Sequence, residues 1–373
     1  MNVLCTMSRG CNRGDCGGVW RVVVDTVARW ILGGVLLFSG AVKSVDPVGT
    51  SLYVDKYLAT YSLEALLPLS EAIAVVLAVA EFALGVLLIL GYHRRVTITF
   101  TLILTSIFFV VTLLSATLLP IGDCGCFGPM LRLEPWQSLA KNVVLLSLAI
   151  LLYLNLRSRS AERFGISGVV AIIVTIALPM AANLYSLRYL PIVDFMPYKV
   201  GTQLGAKVAE ERAAEQEGAR YTLRFRRLDT GQIVEFDASA SECWHDANLE
   251  YLDSVATDKV VDAEYSDFRL YGADGEDYSL DVLGRKGRVA LLCVNRCTSV
   301  DDKSIGGIER LLASYPLSGI VVLKACDYEL DQIDDAETYR VDAQTLRNVV
   351  RADIGVVVLR DGVVEFKADI RDI

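Results

Sequence analysis

The chain has 373 residues, 53% of them hydrophobic, and a net charge of −9. Residues 1–190 carry 14 basic and 10 acidic side chains, whereas residues 191–373 carry 22 and 35. A charge-poor half joined to a charge-rich half excludes one average soluble domain, and the acidic half excludes nucleic-acid binding, which needs a basic face.

Residues 1–25 form a polar tail with Cys5, Cys11 and Cys16. It lacks the early apolar run and small-residue cleavage site of a secretory signal, and Met7 is an alternative start. Five apolar segments follow, near 26–43, 66–90, 96–119, 138–156 and 166–187. Each has the roughly 20 residues that a helix needs to cross a bilayer, and backbone groups in lipid must be paired internally. The expected fold is therefore an α-helical membrane bundle over residues 26–190.

Basic residues set the expected orientation. Arg9, Arg13 and Arg21, then Arg94 and Arg95, then Arg157, Arg159 and Arg163 fall on one side; the opposite loops hold only Lys43 and Lys56, and Arg132. The N-terminus is expected in the cytoplasm. The loop with Cys124 and Cys126, and all that follows residue 190, is expected outside, in the periplasm of a bacterium with an inner membrane. That compartment permits disulfides.

Glu81, Glu71, Lys43, Arg29 and Lys141 lie within or at the edges of the apolar segments. A charge there is costly and should face a partner or cavity. One reading is a polar pocket for a proton, quinone or small ligand. The other is structural pairing, Arg29 with Glu81 and Lys43 with Glu71.

The loop after the third segment reads Asp123-Cys124-Gly125-Cys126-Phe127-Gly128. Two cysteines around a glycine can close a small strained disulfide, and strain makes a disulfide easier to reduce. Asp123 would raise the thiol pKa by repulsion, which suits an electron acceptor better than a nucleophilic thiolate. A packed loop with two small apolar side chains is the alternative. No metal site is expected, since two thiolates need further ligands and His245 is the only histidine on that side.

The membrane half resembles the DoxX-like family of membrane proteins, in particular its MauE (methylamine utilisation) branch. The matching residues are Leu32-Gly33-Gly34, Phe38-Ser39-Gly40, Lys43, Asp46-Pro47, Glu81-Phe82, Gly85, the Cys-Gly-Cys-Phe-Gly run and Trp136-Gln137-Ser138 before Lys141-Asn142. The resemblance implies a helical bundle with a periplasmic cysteine pair. It further implies either maturation of a disulfide-rich periplasmic client or quinone-linked chemistry.

Residues 191–263 read as a linker and hairpin region. A surface helix or linker is expected at 205–219 and a β-hairpin at 220–237 around Asp229-Thr230-Gly231. From 264 to 373 the pattern gives strands at 288–294 and 319–324, helices at 301–314 and 342–351, and a hairpin of 355–359 with 363–366 across Arg360-Asp361-Gly362. That order resembles thioredoxin, so the expected soluble fold is α/β and thioredoxin-like. It departs in chemistry. Cys293 and Cys297 are separated by three residues instead of two, and Ile354 stands where a cis-proline belongs. Cys293, Cys297 and Cys326 are secondary thiol candidates, with Cys293 inside a strand. The expected role is thiol–disulfide handling, a candidate oxidoreductase activity, for a periplasmic protein client. A non-catalytic anchor or assembly factor is the alternative, and no inverted repeat supports a transporter.

Overall fold

The structure is a computed structural model. It describes residues 13–118, 125–131, 133–156, 166–217, 221–227, 233–237, 248–256, 265, 267–296, 302–314, 316–325 and 336–373. The chain divides into two compact units, Met1–Phe195 and Met196–Ile373.

The first unit is all helical. Its helices are α1 (Arg13–Val45), α2 (Pro47–Thr60), α3 (Ser70–Leu90), α4 (Arg94–Thr117), α5 (Pro135–Asn155) and α6 (Ile166–Arg188), with a 3₁₀ turn at Glu64–Leu69 before α3. Five spans among the described residues are long and apolar enough to cross a membrane: Trp20–Val45, Glu64–Leu90, Arg94–Thr117, Pro135–Asn155 and Gly168–Arg188. These are the five expected segments. The second is corrected in one respect, because its first turn is 3₁₀ rather than α and Pro68 lies inside that turn.

The polarity of α4 is inside-out. Its buried residues are Thr97, Ile98, Thr101, Thr105, Thr112 and Ser115. Its outward residues include Val96, Phe100, Ile103, Ile107, Val110 and Leu113. In water this arrangement would expose the apolar stripe and bury the hydroxyls, reversing the ordinary amphipathic helix. In lipid it is the favourable one. Two of the buried threonines satisfy themselves locally: Thr105 Oγ1 donates to Thr101 O at 2.8 Å and Thr112 Oγ1 to Phe108 O at 2.8 Å.

Sequence reading passed over α2. Its signals are local: Asp46 Oδ1 accepts from Gly49 N at 2.7 Å, and Pro47 occupies the first helical position. The helix is short and its apolar residues lack a membrane-length run, so hydropathy alone does not find it. It fills the stretch between α1 and the 3₁₀ turn, a length that controls which charges can meet.

The second unit holds two sheets. β1 (Tyr221–Arg227), β2 (Ile233–Asp237) and β3 (Leu249–Ala256) form an antiparallel sheet in the order β2-β1-β3, with β1 and β2 as the expected hairpin. The larger sheet contains β4 (Arg288–Val294), β5 (Gly319–Lys324), β6 (Glu337–Arg340), β7 (Ile354–Arg360) and β8 (Val363–Asp369) in the order β6-β5-β4-β7-β8. β4, β5 and β6 are parallel, and β7 and β8 are antiparallel additions. α7 (Leu204–Glu217) and α8 (Ser279–Leu283) precede this sheet; α9 (Asp302–Ser314) links β4 to β5, and α10 (Ala343–Val349) links β6 to β7.

The expected order of strand, helix, strand, helix and hairpin is present. The added edge strand β6 reads Glu-Thr-Tyr-Arg, four residues of which one is buried, too polar to announce itself. Ala290, Leu292 and Val294 pack on one face with Ile308 and Leu311 of α9 and with Val356 and Val358. Each sheet edge carries one further bridge. Gln203 bridges Val363 of β8 and Tyr271 bridges Arg340 of β6, which protects the edges from pairing with another chain. The region expected as a surface helix or linker is anchored, since Leu204 and Val208 of α7 are fully buried.

Candidate functional site

The site forms where the 125–128 loop rests on one end of the helical bundle. Lys43, near the end of α1, is 2% exposed, and Glu81, midway along α3, is 0% exposed. Lys43 Nζ donates to Glu81 Oε1 and Oε2 at 2.8 Å each, to Ser39 Oγ at 2.7 Å and to the Cys126 carbonyl at 2.5 Å. The three ammonium hydrogens are thus shared among a carboxylate, a hydroxyl and a peptide carbonyl, which is what a buried ammonium needs. Ser39 Oγ also donates to the Cys126 carbonyl at 2.7 Å.

This corrects the expected pairings. Lys43 bonds Glu81 rather than Glu71. Arg29 meets Asp25 Oδ2 at 3.3 Å rather than Glu81, and Arg94 meets the same carboxylate at 2.7 Å. Glu71 lies in the first turn of α3, ten residues before Glu81. At about 1.5 Å of rise per residue that separates the two carboxylates by roughly 15 Å along the helix.

The loop itself is shaped for close approach. Gly125 has φ +55°, and a Cβ there would stand 2.6 Å from the Tyr53 ring. Both facts require glycine. Phe127 packs against Phe38 with ring centres 5.7 Å apart, and Lys141 Nζ sits 4.6 Å from its ring centre. Gly128 lies beside Thr50 and Lys43. On the other side, Asn142 of α5 ties the seam to α4. Its Nδ2 donates to Thr112 Oγ1 at 3.1 Å and to Phe108 O at 3.4 Å, and lies 4.0 Å from Cys126 Sγ. The bundle thus brings together Lys43, Glu81, Lys141, Gly125, Cys126, Phe127 and Gly128. Sequence reading missed Ser39 and Thr112 as partners and treated Asn142 only as part of a motif. Asp123 and Cys124 lie outside the described residues.

Away from the loop the bundle holds an apolar core. Ala28, Leu32, Leu36, Leu88, Ile98, Leu145, Ala149 and Leu152 form a continuous buried cluster at the end opposite the loop. Polar side chains are not confined to the loop end: Thr97, Thr101 and Thr105 are buried along α4, and Asp25 is buried beside Arg29 and Arg94.

In the second unit, Cys293 is fully buried on β4, and burial pushes its thiol up to about 12. Cys297 and Cys326 lie outside the described residues. Ile354 opens β7, buried and paired with Val294. A neutral buried thiol is inert, so Cys293 is expected to resist alkylation at pH 8 in the native chain and to react after denaturation, read by mass spectrometry. The raised pKa also fixes a pH effect. The folded unit keeps the proton while the unfolded chain loses it above its ordinary value of 9.0, so stability present below pH 9 is lost between about 9 and 12. Cys293→Ala should flatten that decline relative to the parent. Among the described residues no group of His, Cys, Asp and Glu could hold a metal ion.

The fold and site define a membrane protein: a helical bundle with a buried ion pair clamping a cysteine loop, followed by an α/β unit. Residues 21–155 match the family described as Methylamine utilisation protein MauE. The chain is also 33% identical over 115 residues to Protein TlpB of Flavobacterium psychrophilum, an alignment covering 27% of this chain and 31% of that relative. The chain thus spans about a third of the length of that curated relative. No solved structure matches.

Proposed function

We propose that the protein handles thiol–disulfide chemistry at the outer face of the bacterial inner membrane, through Cys124 and Cys126. The observation that carries this is the clamp on Cys126. Its carbonyl is fixed by Lys43 and Ser39 while its half-buried Sγ lies 4.0 Å from the Asn142 amide nitrogen. A purely packed cysteine needs no ion pair behind its own peptide.

The exchange runs between thiols. A client thiolate attacks one sulfur of the Cys124–Cys126 disulfide, the S–S bond breaks and a mixed disulfide forms. A second client thiol then displaces the remaining sulfur. The client becomes the disulfide, the loop becomes the dithiol, and two electrons and two protons have moved. The positive-inside pattern of arginines supports the outer placement of loop and second unit. The described surroundings do not fit a quinone carbonyl well. The Lys43 hydrogens and the Asn142 amide are engaged, and the open atom on Asn142 is an acceptor, Oδ1.

The second unit, with its thioredoxin-like order of elements, serves as the client-recognition part. Its buried Cys293 and the isoleucine at position 354 suit binding rather than exchange. The test is thiol trapping of full-length protein under defined oxidant and reductant, with masses read before and after. The parent should interconvert between dithiol and disulfide, and Cys124→Ser should abolish it. A parent locked in one state under both conditions would overturn the reading and favour a non-catalytic anchor.

A further inference from the structure

The seam between α4 and α5 behind Cys126 holds three buried oxygen atoms without a hydrogen-bond partner: Ser115 Oγ, Ser138 Oγ and Asn142 Oδ1. Their residues are 0%, 0% and 1% exposed. Ser138 and Asn142 lie one turn apart on α5, and Thr112 and Ser115 one turn apart on α4, so each pair shares a helix face. The Asn142–Thr112 bond of 3.1 Å sets the register of the two helices, and one turn nearer the loop that register brings Ser138 to the level of Ser115. Groups of this kind, shut away from lipid, are ordinarily satisfied by water.

We propose that this end of the seam is a hydration site: water enters from the loop side, bonds Ser115, Ser138 and Asn142, and accepts the proton of Cys126. The recess stands on geometry alone, and its service to Cys126 rests on the thiol reading above. In the proton step the Sγ–H bond breaks, an O–H bond forms on water, and the hydronium leaves toward the loop; protonation runs the same path in reverse. The apolar cluster of Leu32, Leu145, Ala149 and Leu152 lies beyond the three oxygens, toward the other end of the bundle.

The experiment uses the full-length chain in membrane vesicles, with Cys124 and Cys126 replaced by serine. Ser115→Cys, Ser138→Cys and, as a dry control, Leu145→Cys are exposed briefly to silver ion, and the remaining thiol is alkylated and counted by mass spectrometry. Ser115→Cys and Ser138→Cys are expected to react about tenfold faster than Leu145→Cys or more, because a hydrated thiol ionises and a thiol in apolar surroundings does not. Reaction at the Leu145→Cys rate overturns the recess. If these variants do not fold, radiolytic labelling of the unaltered chain decides: Phe108 should be oxidised above Phe100, which faces outward, and equal labelling overturns the site. For the relay, Ser115→Ala with Ser138→Ala in a Cys124→Ser chain should slow alkylation of Cys126 by N-ethylmaleimide about tenfold at neutral pH. An unchanged rate removes the relay. The silver result does not depend on whether the native pair cycles, so failure of the recess and failure of the thiol reading are separable.

Discussion

Lys43→Met is expected to lower the stability of the helical unit by about 3–5 kcal/mol, because it leaves the Glu81 carboxylate buried with its ammonium partner gone. The pair lies at the centre of the site, with both side chains almost fully enclosed. The single substitution does more than break an ion pair. Ser39 and the Cys126 carbonyl lose their shared donor, and the loop loses one of its anchors to α1. Glu81→Leu alone strands the ammonium in the same way. The double variant Lys43→Met with Glu81→Leu removes both charges and should recover most of the loss, since a buried pair replaced by apolar groups is often close to neutral. Thermal or denaturant unfolding of the four proteins as a double-mutant cycle reads this. A double-variant loss equal to the sum of the two single losses would show that the pair is not coupled.

Gly40→Ala is the second large effect. A Cβ at Gly40 would run into the Phe82 backbone nitrogen and stand 2.7 Å from Ala78 O; one at Gly85 would meet Leu37 N and stand 2.7 Å from Gly33 O. Here α1 and α3 touch backbone to backbone, as small residues allow between membrane helices. No side chain can swing aside, so the helices must part. The cost is about 1–3 kcal/mol from overpacking. A further loss should follow as Lys43, one turn beyond Gly40, and Glu81, between Ala78 and Phe82, are pulled out of register. Gly34→Ala is the control, with open space around its would-be Cβ. It should be neutral or gain up to about 1 kcal/mol from helix propensity. Unfolding midpoints of Gly40→Ala and Gly34→Ala measured side by side test the contrast.

The five membrane spans were legible because length and apolarity decide them almost alone. The α/β half was legible at its strands, where β4 and β7 are continuous apolar runs of the kind only a doubly covered strand tolerates. The pairing of charges was not legible. Counting residues from the membrane edge puts Lys43 beside Glu71. That count assumes α1 stops at its apolar limit and hands over directly to the next span. In fact α1 continues to Val45, and α2 with the 3₁₀ turn intervenes before α3 begins at Ser70. The offset slides α3 so that Glu81, not Glu71, meets Lys43. Helix rotation is equally hidden in a uniformly apolar segment, which is why Ser39 could not be singled out as the second acceptor. Gly125 was readable as a flexible position between two cysteines. Its tight fit against Tyr53 depends on α2, the helix that hydropathy does not reveal.

The apolar cluster at the far end of the bundle has an electrical consequence. A membrane voltage falls mainly across material of low polarisability, and in this bundle that material is the slab from Ala28 to Leu152. The cysteine loop lies beyond it, at nearly the potential of the compartment it faces, whereas Glu81 sits midway along α3 and fully buried. Protons and electrons exchanged at Cys126 would then cross almost none of the field. Turnover at such a site neither draws on the membrane potential nor dissipates it, and its rate should be indifferent to whether the cell is energised.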